Sequence, residues 1–274
     1  MHQYLFFIGD FPIRAYGLIL SLAIILATGT AYFLAKQDGR WHHHVPDMGI
    51  YCGLAGIVGA RLWDVFFFDW DYYQHHILEI PFVWQGGMAI QGGVLLGAVA
   101  GYIYTKRHNM DTWAFADIIA PAIIMGQAIG RIANLLNGDA FGHPTGGTFG
   151  LLYPPGTLAY QTYGNLPLWP AEVWEGQIDI IIFVILLLVR TTNHAKGQVF
   201  ILYAVLYSVA RFFLEYLRGD YNTILWGLKS AQLTSLFVIL IGIMLFFWVG
   251  RQETRQTPEK AVEKSARSQN KRPR

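Results

Sequence analysis

The chain has 274 residues, 54% of them apolar, 15% aromatic and only 14% charged, with a formal net charge of +2. Soluble domains carry about a quarter charged residues, so this composition excludes an ordinary soluble fold and reads as an all-α integral membrane protein. The single cysteine, Cys52, lies in an apolar run. It excludes an internal disulfide and reads as a packing residue.

The first residues, MHQYLFFIGDFPIRAYG, have neither a basic n-region nor a small-residue cleavage site, so no removable signal peptide is expected. Seven apolar segments of spanning or near-spanning length follow, at 17–36, 48–68, 88–104, 113–130, 177–190, 197–216 and 232–250. Lys36 and Arg40, Lys106 and Arg107, and Arg190 and Lys196 fall in alternate connections, and eight more basic residues lie in 251–274. These positions hold 14 of the 20 Lys and Arg residues, whereas connection 69–86 carries Asp69, Asp71 and Glu79 with no basic residue. The positive-inside rule then predicts about seven transmembrane helices with the N-terminus outside and the C-terminus in the cytoplasm. Residues 1–250 read as one polytopic domain. Residues 251–274 read as a basic cytoplasmic tail, disordered or partly helical along anionic headgroups. The run His42–His44 falls in a cytoplasmic connection, and no other Cys or His cluster supports a metal site.

Gly93, Gly97 and Gly101 recur every four residues on one helical face, and Gly53, Gly56 and Gly59, three apart, do similar work in the preceding segment. Such stripes let membrane helices pack closely. Gly86, Gly87 and Gly92 instead punctuate the apolar stretch QGGMAIQGG where the chain enters the membrane, which fits a re-entrant or loosely wound segment lining a polar cavity. The outer loop 138–176 is poor in charge and rich in Gly, Pro and aromatic residues, and reads as a compact cap on the outer leaflet.

Two polar constellations interrupt the apolar pattern. The stretch Gly126–Gly142, GQAIGRIANLLNGDAFG, ends a spanning segment with Arg131, Asn134, Asn137 and Asp139. An arginine at mid-membrane costs roughly 2.5–3.5 kcal/mol on insertion scales and calls for an anionic or polar partner. An ordinary membrane boundary with a snorkelling arginine is the alternative. In the sixth segment Tyr207, Arg211, Glu215 and Arg218 follow one another at helical spacing and are expected on one face. They form either a self-satisfied ion network between helices or an anion site in which Arg forks grip a phosphate and Glu holds the forks. Arg14 and Arg61 add further cations toward the outer half. Taken singly, Tyr16 reads as an interfacial anchor and Arg61 as an intrahelical ion-pair partner. No Gly-x-Ser-x-Gly, His-Glu-x-x-His, phosphate-loop or dinucleotide fingerprint occurs.

The run Gly130-Arg131-Ile132-Ala133-Asn134-Leu135-Leu136-Asn137-Gly138-Asp139-Ala140-Phe141-Gly142 resembles the signature of bacterial prolipoprotein diacylglyceryl transferases, Gly-Arg-x-Gly/Ala-Asn-apolar-apolar-Asn-x-Glu-x-x-Gly. Around it, in that family's order, stand Tyr16-Gly17, Gly59-Ala60-Arg61-Leu62, the segment Gly86–Gly93, Pro170–Glu175, Arg211–Arg218 and Ser230–Ser235. The resemblance covers the chain up to the basic tail. It departs at two places: Gln91 stands where the family commonly has His, and Asp139 where it has Glu. Glutamine accepts no proton at neutral pH, so a general base at residue 91 does not carry over.

The resemblance implies transfer of a diacylglyceryl group from phosphatidylglycerol to the lipobox cysteine of a preprolipoprotein signal peptide, in the bacterial plasma membrane with the site toward the outer leaflet. It implies Arg131 and Arg211 as a phosphate clamp, with Asn134 and Gln91 completing the catalytic set. Tyr16 shapes the headgroup pocket, Asn137 binds glycerol or phosphate oxygens, and Glu215 and Asp139 orient the Arg forks. Arg61, Gly142, Tyr207 and Arg218 join the substrate-binding set. No metal, organic cofactor or nucleic acid is expected, and surrounding membrane lipids are. A transporter or binding scaffold for an anionic lipid or solute would use the same arginines, but its inverted repeats are not evident. A catalytically divergent member is the other alternative.

Overall fold

The computed structural model describes the backbone of residues 4–8, 11–220 and 225–269. The side chain of Arg14 and residues 270–274 of the tail lie outside the described residues. Nine α-helices carry the described chain: α1 (Ala15–Gln37), α2 (His44–Phe67), α3 (Trp70–Tyr73), α4 (Ile90–Arg107), α5 (Thr112–Asn137), α6 (Leu158–Tyr163), α7 (Ala171–Arg190), α8 (Gln198–Leu214) and α9 (Ser230–Gln269). An antiparallel hairpin of β1 (Tyr4–Ile8) and β2 (Phe11–Arg14) precedes α1, a small addition to the helical architecture read from the sequence.

Each of the seven apolar segments lies on one of the longer helices. Among the described residues, four helices are long and apolar enough to cross a membrane: Ala15–Gln37, His44–Phe67, Thr112–Asn137 and Ser230–Arg251. The helix α8 is apolar but shorter. Two boundaries differ from the hydropathy reading in an informative way. The helix α5 continues past residue 130 to Asn137, and α7 begins at Ala171 rather than 177. Polar residues that face other protein groups extend a helix where an apolar pattern would end it. The helix α9 continues to Gln269, so the backbone is helical through most of the basic tail.

The chain divides into two units, residues 28–115 and the remainder. In the smaller unit α2 packs on α4 at backbone contact. A Cβ on Gly92 would lie 2.1 Å from the Gly59 carbonyl oxygen and 2.4 Å from the Trp63 Cβ, and one on Gly59 would lie 2.3 Å from the Gly92 carbonyl oxygen. A Cβ on Gly93 would likewise lie 3.2 Å from the Gly56 carbonyl oxygen, so the small-residue stripe is a packing seam, and Gly92, expected in a loosely wound segment, stands on α4 within it. The Ala89 N–H also donates to the Ala60 carbonyl at 3.0 Å, fixing the start of α4 against α2.

In the larger unit Ala120 and Ile124 of α5, Ile182 and Leu186 of α7, and Val199 of α8 form one buried core. Below it Asp117 caps α8: its carboxylate accepts the N–H groups of Gly197 at 2.6 Å and Phe200 at 2.9 Å. An anion at a helix N-terminus satisfies orphan donors and complements the helix dipole. The Gln198 amide donates to the Phe246 carbonyl and ties α8 to α9.

Because the α2–α4 seam leaves no room for a methyl group, Gly92→Ala must push the two helices apart. Overpacking of this kind costs about 1–3 kcal/mol. A thermal unfolding scan in detergent should show a melting point several degrees lower, on the order of 2–4 °C per kcal/mol for a chain of this size. An unchanged melting point would contradict the close packing of this pair.

Candidate active site

Three helices of the larger unit converge on one carboxylate. Glu175, on the first turns of α7, accepts Arg131 Nη2 of α5 on Oε1 at 2.7 Å and Arg211 Nη1 of α8 on Oε2 at 3.1 Å. Tyr207 of α8 donates its hydroxyl to the same Oε1 at 3.3 Å, and Arg218 Nη1 stands 3.7 Å from Oε2. The second fork nitrogen of Arg131 donates to Asn134 Oδ1 at 3.2 Å. The Glu175 side chain is 2% exposed, whereas those of Arg131 and Arg211 keep 20% and 15%. The carboxylate is thus sealed beneath two arginines whose own side chains stay partly exposed.

A second ionic group abuts the first. Arg211 Nη2 lies 2.8 Å from Glu215 Oε2, an ion pair whose angles fall short of a hydrogen bond. Arg218 grips Asp220 with Nε at 2.9 Å and with Nη2. Lys229 donates to the carbonyls of Glu215 at 2.9 Å and Arg218 at 2.6 Å, and so closes the end of α8. Burial pulls the Lys229 ammonium below the ordinary lysine range, opposed by the charges of Glu215 and Asp220. The expectation of four residues on one helical face needs correction here. The helix α8 ends at Leu214, and Arg218 lies beyond it, its backbone bridged to Gly142.

The signature after Arg131 forms its own cradle. Asn134 Nδ2 and Asn137 Nδ2 donate to the two oxygens of Asp139 at 2.9 and 3.1 Å. Asp139 therefore orients the two asparagines and bears on the Arg131 fork through Asn134. Tyr16, on the first turn of α1, lies within electrostatic reach of both Asp139 and Arg131. Gly142 permits a close crossing: a Cβ there would stand 2.3 Å from the Trp169 carbonyl oxygen. Its contribution is thus to bring the loop, and with it Arg218, against the cluster.

The loop after α5 folds on a core of Phe141, Tyr153, Ala159 and Leu168. Tyr153 donates its hydroxyl to Glu172 Oε1 of α7, and Tyr163 donates to the Gly219 carbonyl at 3.0 Å. Burial and the adjacent Glu172 carboxylate push the Tyr153 phenol well above its ordinary range, so it remains a donor at any physiological pH.

The two remaining expected site residues belong to the smaller unit. Arg61 is 3% exposed and donates to four main-chain carbonyls: Ile80 at 2.8 Å, Gly86 at 2.6 Å, Gly87 at 3.1 Å and Glu79 at 3.0 Å. Its guanidinium also stacks 4.8 Å from the Tyr73 ring centre. In this structure Arg61 organises the 79–87 loop and does not present a free fork, nor is it chiefly an intrahelical ion-pair partner. Gln91 is exposed on the first turn of α4.

Glu175, the centre of the cluster, stands in the sequence only as the end of the segment Pro170–Glu175, with no role assigned to it. Its signal lies in Pro170-Ala171-Glu172-Val173-Trp174-Glu175, where two acids open an apolar helix with no basic neighbour on the same segment. Two guanidinium groups held on one buried carboxylate, flanked by amide groups and a tyrosine, can bind a phosphate and stabilise charge that develops on its oxygens.

Comparison with known proteins agrees with this chemistry. Residues 3–248 match the family described as prolipoprotein diacylglyceryl transferase. A phosphatidylglycerol–prolipoprotein diacylglyceryl transferase of Staphylococcus haemolyticus is 34% identical over 250 residues, covering 89% of this chain and 86% of the relative. That of Acaryochloris marina is 34% identical over 247 residues, covering 89% of each chain. That of Geobacillus kaustophilus is 36% identical over 248 residues, covering 89% of this chain and 90% of the relative. The chain belongs to the prolipoprotein diacylglyceryl transferase family.

Proposed function

We propose that this protein transfers the diacylglyceryl group of phosphatidylglycerol to the lipobox cysteine thiol of preprolipoprotein signal peptides, releasing glycerol-1-phosphate. The observation that carries the reading is the pair Arg131 and Arg211, joined through buried Glu175 while their own side chains stay 20% and 15% exposed. In the reaction the thiol sulfur forms a bond to the glycerol carbon and the carbon–oxygen bond to phosphate breaks. Its electron pair leaves on the phosphate oxygen, and the thiol proton balances the charge of the released monoester. Negative charge therefore develops on the phosphate, where fixed cations in a dry site stabilise it better than water does.

In this reading Arg131 and Arg211 hold the phosphate while Glu175, Tyr207 and Glu215 hold the arginines. Asn134 and Asn137, fixed by Asp139, offer amide groups to glycerol or phosphate oxygens, and Tyr16 shapes the headgroup pocket. The match along the family's length supports a multi-pass protein of the bacterial plasma membrane with seven spans, an outer N-terminus and the site toward the outer leaflet. The distribution of Lys and Arg supports a cytoplasmic tail.

The direct test incubates purified protein with phosphatidylglycerol and a lipobox peptide and looks by mass for a diacylglyceryl adduct. An adduct is expected, and its absence from a folded preparation sinks the proposal. Arg131→Lys and Arg211→Lys keep the charge and lose the fork, so each should reduce transfer by about 100-fold or more. Near-normal transfer in both folded variants would show that the fork does not matter.

Residue 91 makes a separate prediction. A free thiol has a pKa near 8.5 and is already a few per cent thiolate at neutral pH, a fraction that neighbouring arginines raise. Transfer should climb with pH toward the thiol's own pKa, and Gln91→Ala should lose less than about tenfold, the scale of one neutral hydrogen bond. A large gain in Gln91→His, with activity falling below about pH 6–7 as the imidazole protonates, would instead reveal a missing base.

Topology is checked by labelling from outside. Thr157→Cys should react with an impermeant thiol reagent and Ser265→Cys should not. The reverse pattern would overturn the seven-span arrangement.

A further inference from the structure

Two polar rungs join α5 to α8, and the proposed chemistry uses only one of them. On the first, Arg131 Nη2 of α5 donates to the Tyr207 hydroxyl of α8 at 3.4 Å. On the second, the Tyr203 hydroxyl of α8 donates to Gln127 Oε1 of α5 at 3.0 Å. Gln127 precedes Arg131 by four residues, and Tyr203 precedes Tyr207 by four. Each pair therefore shares a helical face, and the rungs lie one turn apart. The rings of Tyr203 and Tyr207 stack with centres 6.3 Å apart, which keeps the rungs in line.

A glutamine amide has one accepting oxygen and two N–H donors. Tyr203 occupies the oxygen of Gln127 and so fixes which way the amide turns. The Nε2 of Gln127 makes no hydrogen bond among the described residues. The residue is half-buried and sits nearer the middle of α5 than Arg131 does. Ile124, the next residue inward on that face, is fully buried in the apolar core. Amide donors at the edge of apolar packing call for an acceptor.

The diacylglyceryl group brings such an acceptor to that level. Its ester carbonyls are uncharged, accept hydrogen bonds, and lie one glycerol unit to the acyl side of the phosphate. One helical turn rises about 5.4 Å, so a phosphate on Arg131 sets an ester carbonyl level with Gln127. A neutral donor suits this position, because a cation there would compete for the phosphate. We infer that Gln127, turned by Tyr203, donates Nε2–H to an ester carbonyl of the lipid and makes the site select ester-linked chains. This inference rests on the transferase reading.

The test compares diacyl phosphatidylglycerol with its dialkyl ether analogue, which keeps the phosphate, glycerol and chains and lacks both carbonyl oxygens. Adduct formation on a lipobox peptide is followed for the full chain and its Gln127→Met and Tyr203→Phe variants. The parent should favour the ester lipid in kcat/KM by about tenfold, the scale of one neutral hydrogen bond. Gln127→Met removes the donor at similar volume and should bring the ratio of the two lipids toward one. Tyr203→Phe frees the amide to turn and should lower the ratio by a smaller factor. Should Gln127→Met fail to fold, an unmoved ratio in Tyr203→Phe overturns the inference. Equal use of both lipids by the parent overturns it, and so does a folded Gln127→Met that slows both alike, which marks a structural role. A raised KM for the peptide with the lipid ratio intact puts the amide on a peptide carbonyl and overturns it too. All of these leave the transferase reading standing. No adduct from the parent with either lipid removes that reading, and this inference with it.

Discussion

The carboxylate of Glu175 fixes the register of three helices at once. Two guanidinium groups, from α5 and α8, meet on it while it lies almost fully buried on α7. Removing one partner from such a group leaves an uncompensated buried charge, a loss of about 3–5 kcal/mol in comparable pairs. The helices therefore cannot slide past one another without breaking the contact. The same contact holds both arginines side by side on one carboxylate before any ligand arrives, and fixed charges of that kind are the preorganisation that electrostatic catalysis requires.

Around this point the structure builds outward in shells of decreasing charge. Glu215, Arg218, Asp220 and Lys229 form the next layer, and their charges reach the end of α8 through main-chain carbonyls. Beyond them the loop after α5 is nearly free of charge and holds itself together with aromatic packing. It meets the ionic layers through Tyr153 on Glu172, Tyr163 on the Gly219 carbonyl, Asp139 on Asn134, and the backbone bridge between Gly142 and Arg218. Apolar packing shields the ion pairs from water, and that shielding strengthens each of them.

How much of this could be read from the sequence depends on what carries the signal. Apolar runs located all seven long helices, because a membrane-facing surface must be apolar along its whole length. They misplaced the end of α5 and the start of α7, where Arg131, Asn134, Glu172 and Glu175 sit on helices but face protein. The family signature singled out Arg131, Asn134, Asn137 and Asp139, and the structure brings them together. It did not show that Asp139 serves the asparagines, since that depends on which way two amides turn. Helical spacing placed Arg218 with Arg211, but the chain leaves the helix at Leu214. The convergence on Glu175 is invisible in one dimension, because its partners stand 44 and 36 residues away.

Arg61 was hidden for a different reason: its partners are carbonyl oxygens, which every residue type supplies. Four of them, at residues 79, 80, 86 and 87, bend around one guanidinium. The arginine therefore measures the path of the loop and not its side chains. The text of that loop can be rewritten at Ile80 while its shape stays the same, so long as the main chain still turns four oxygens toward residue 61.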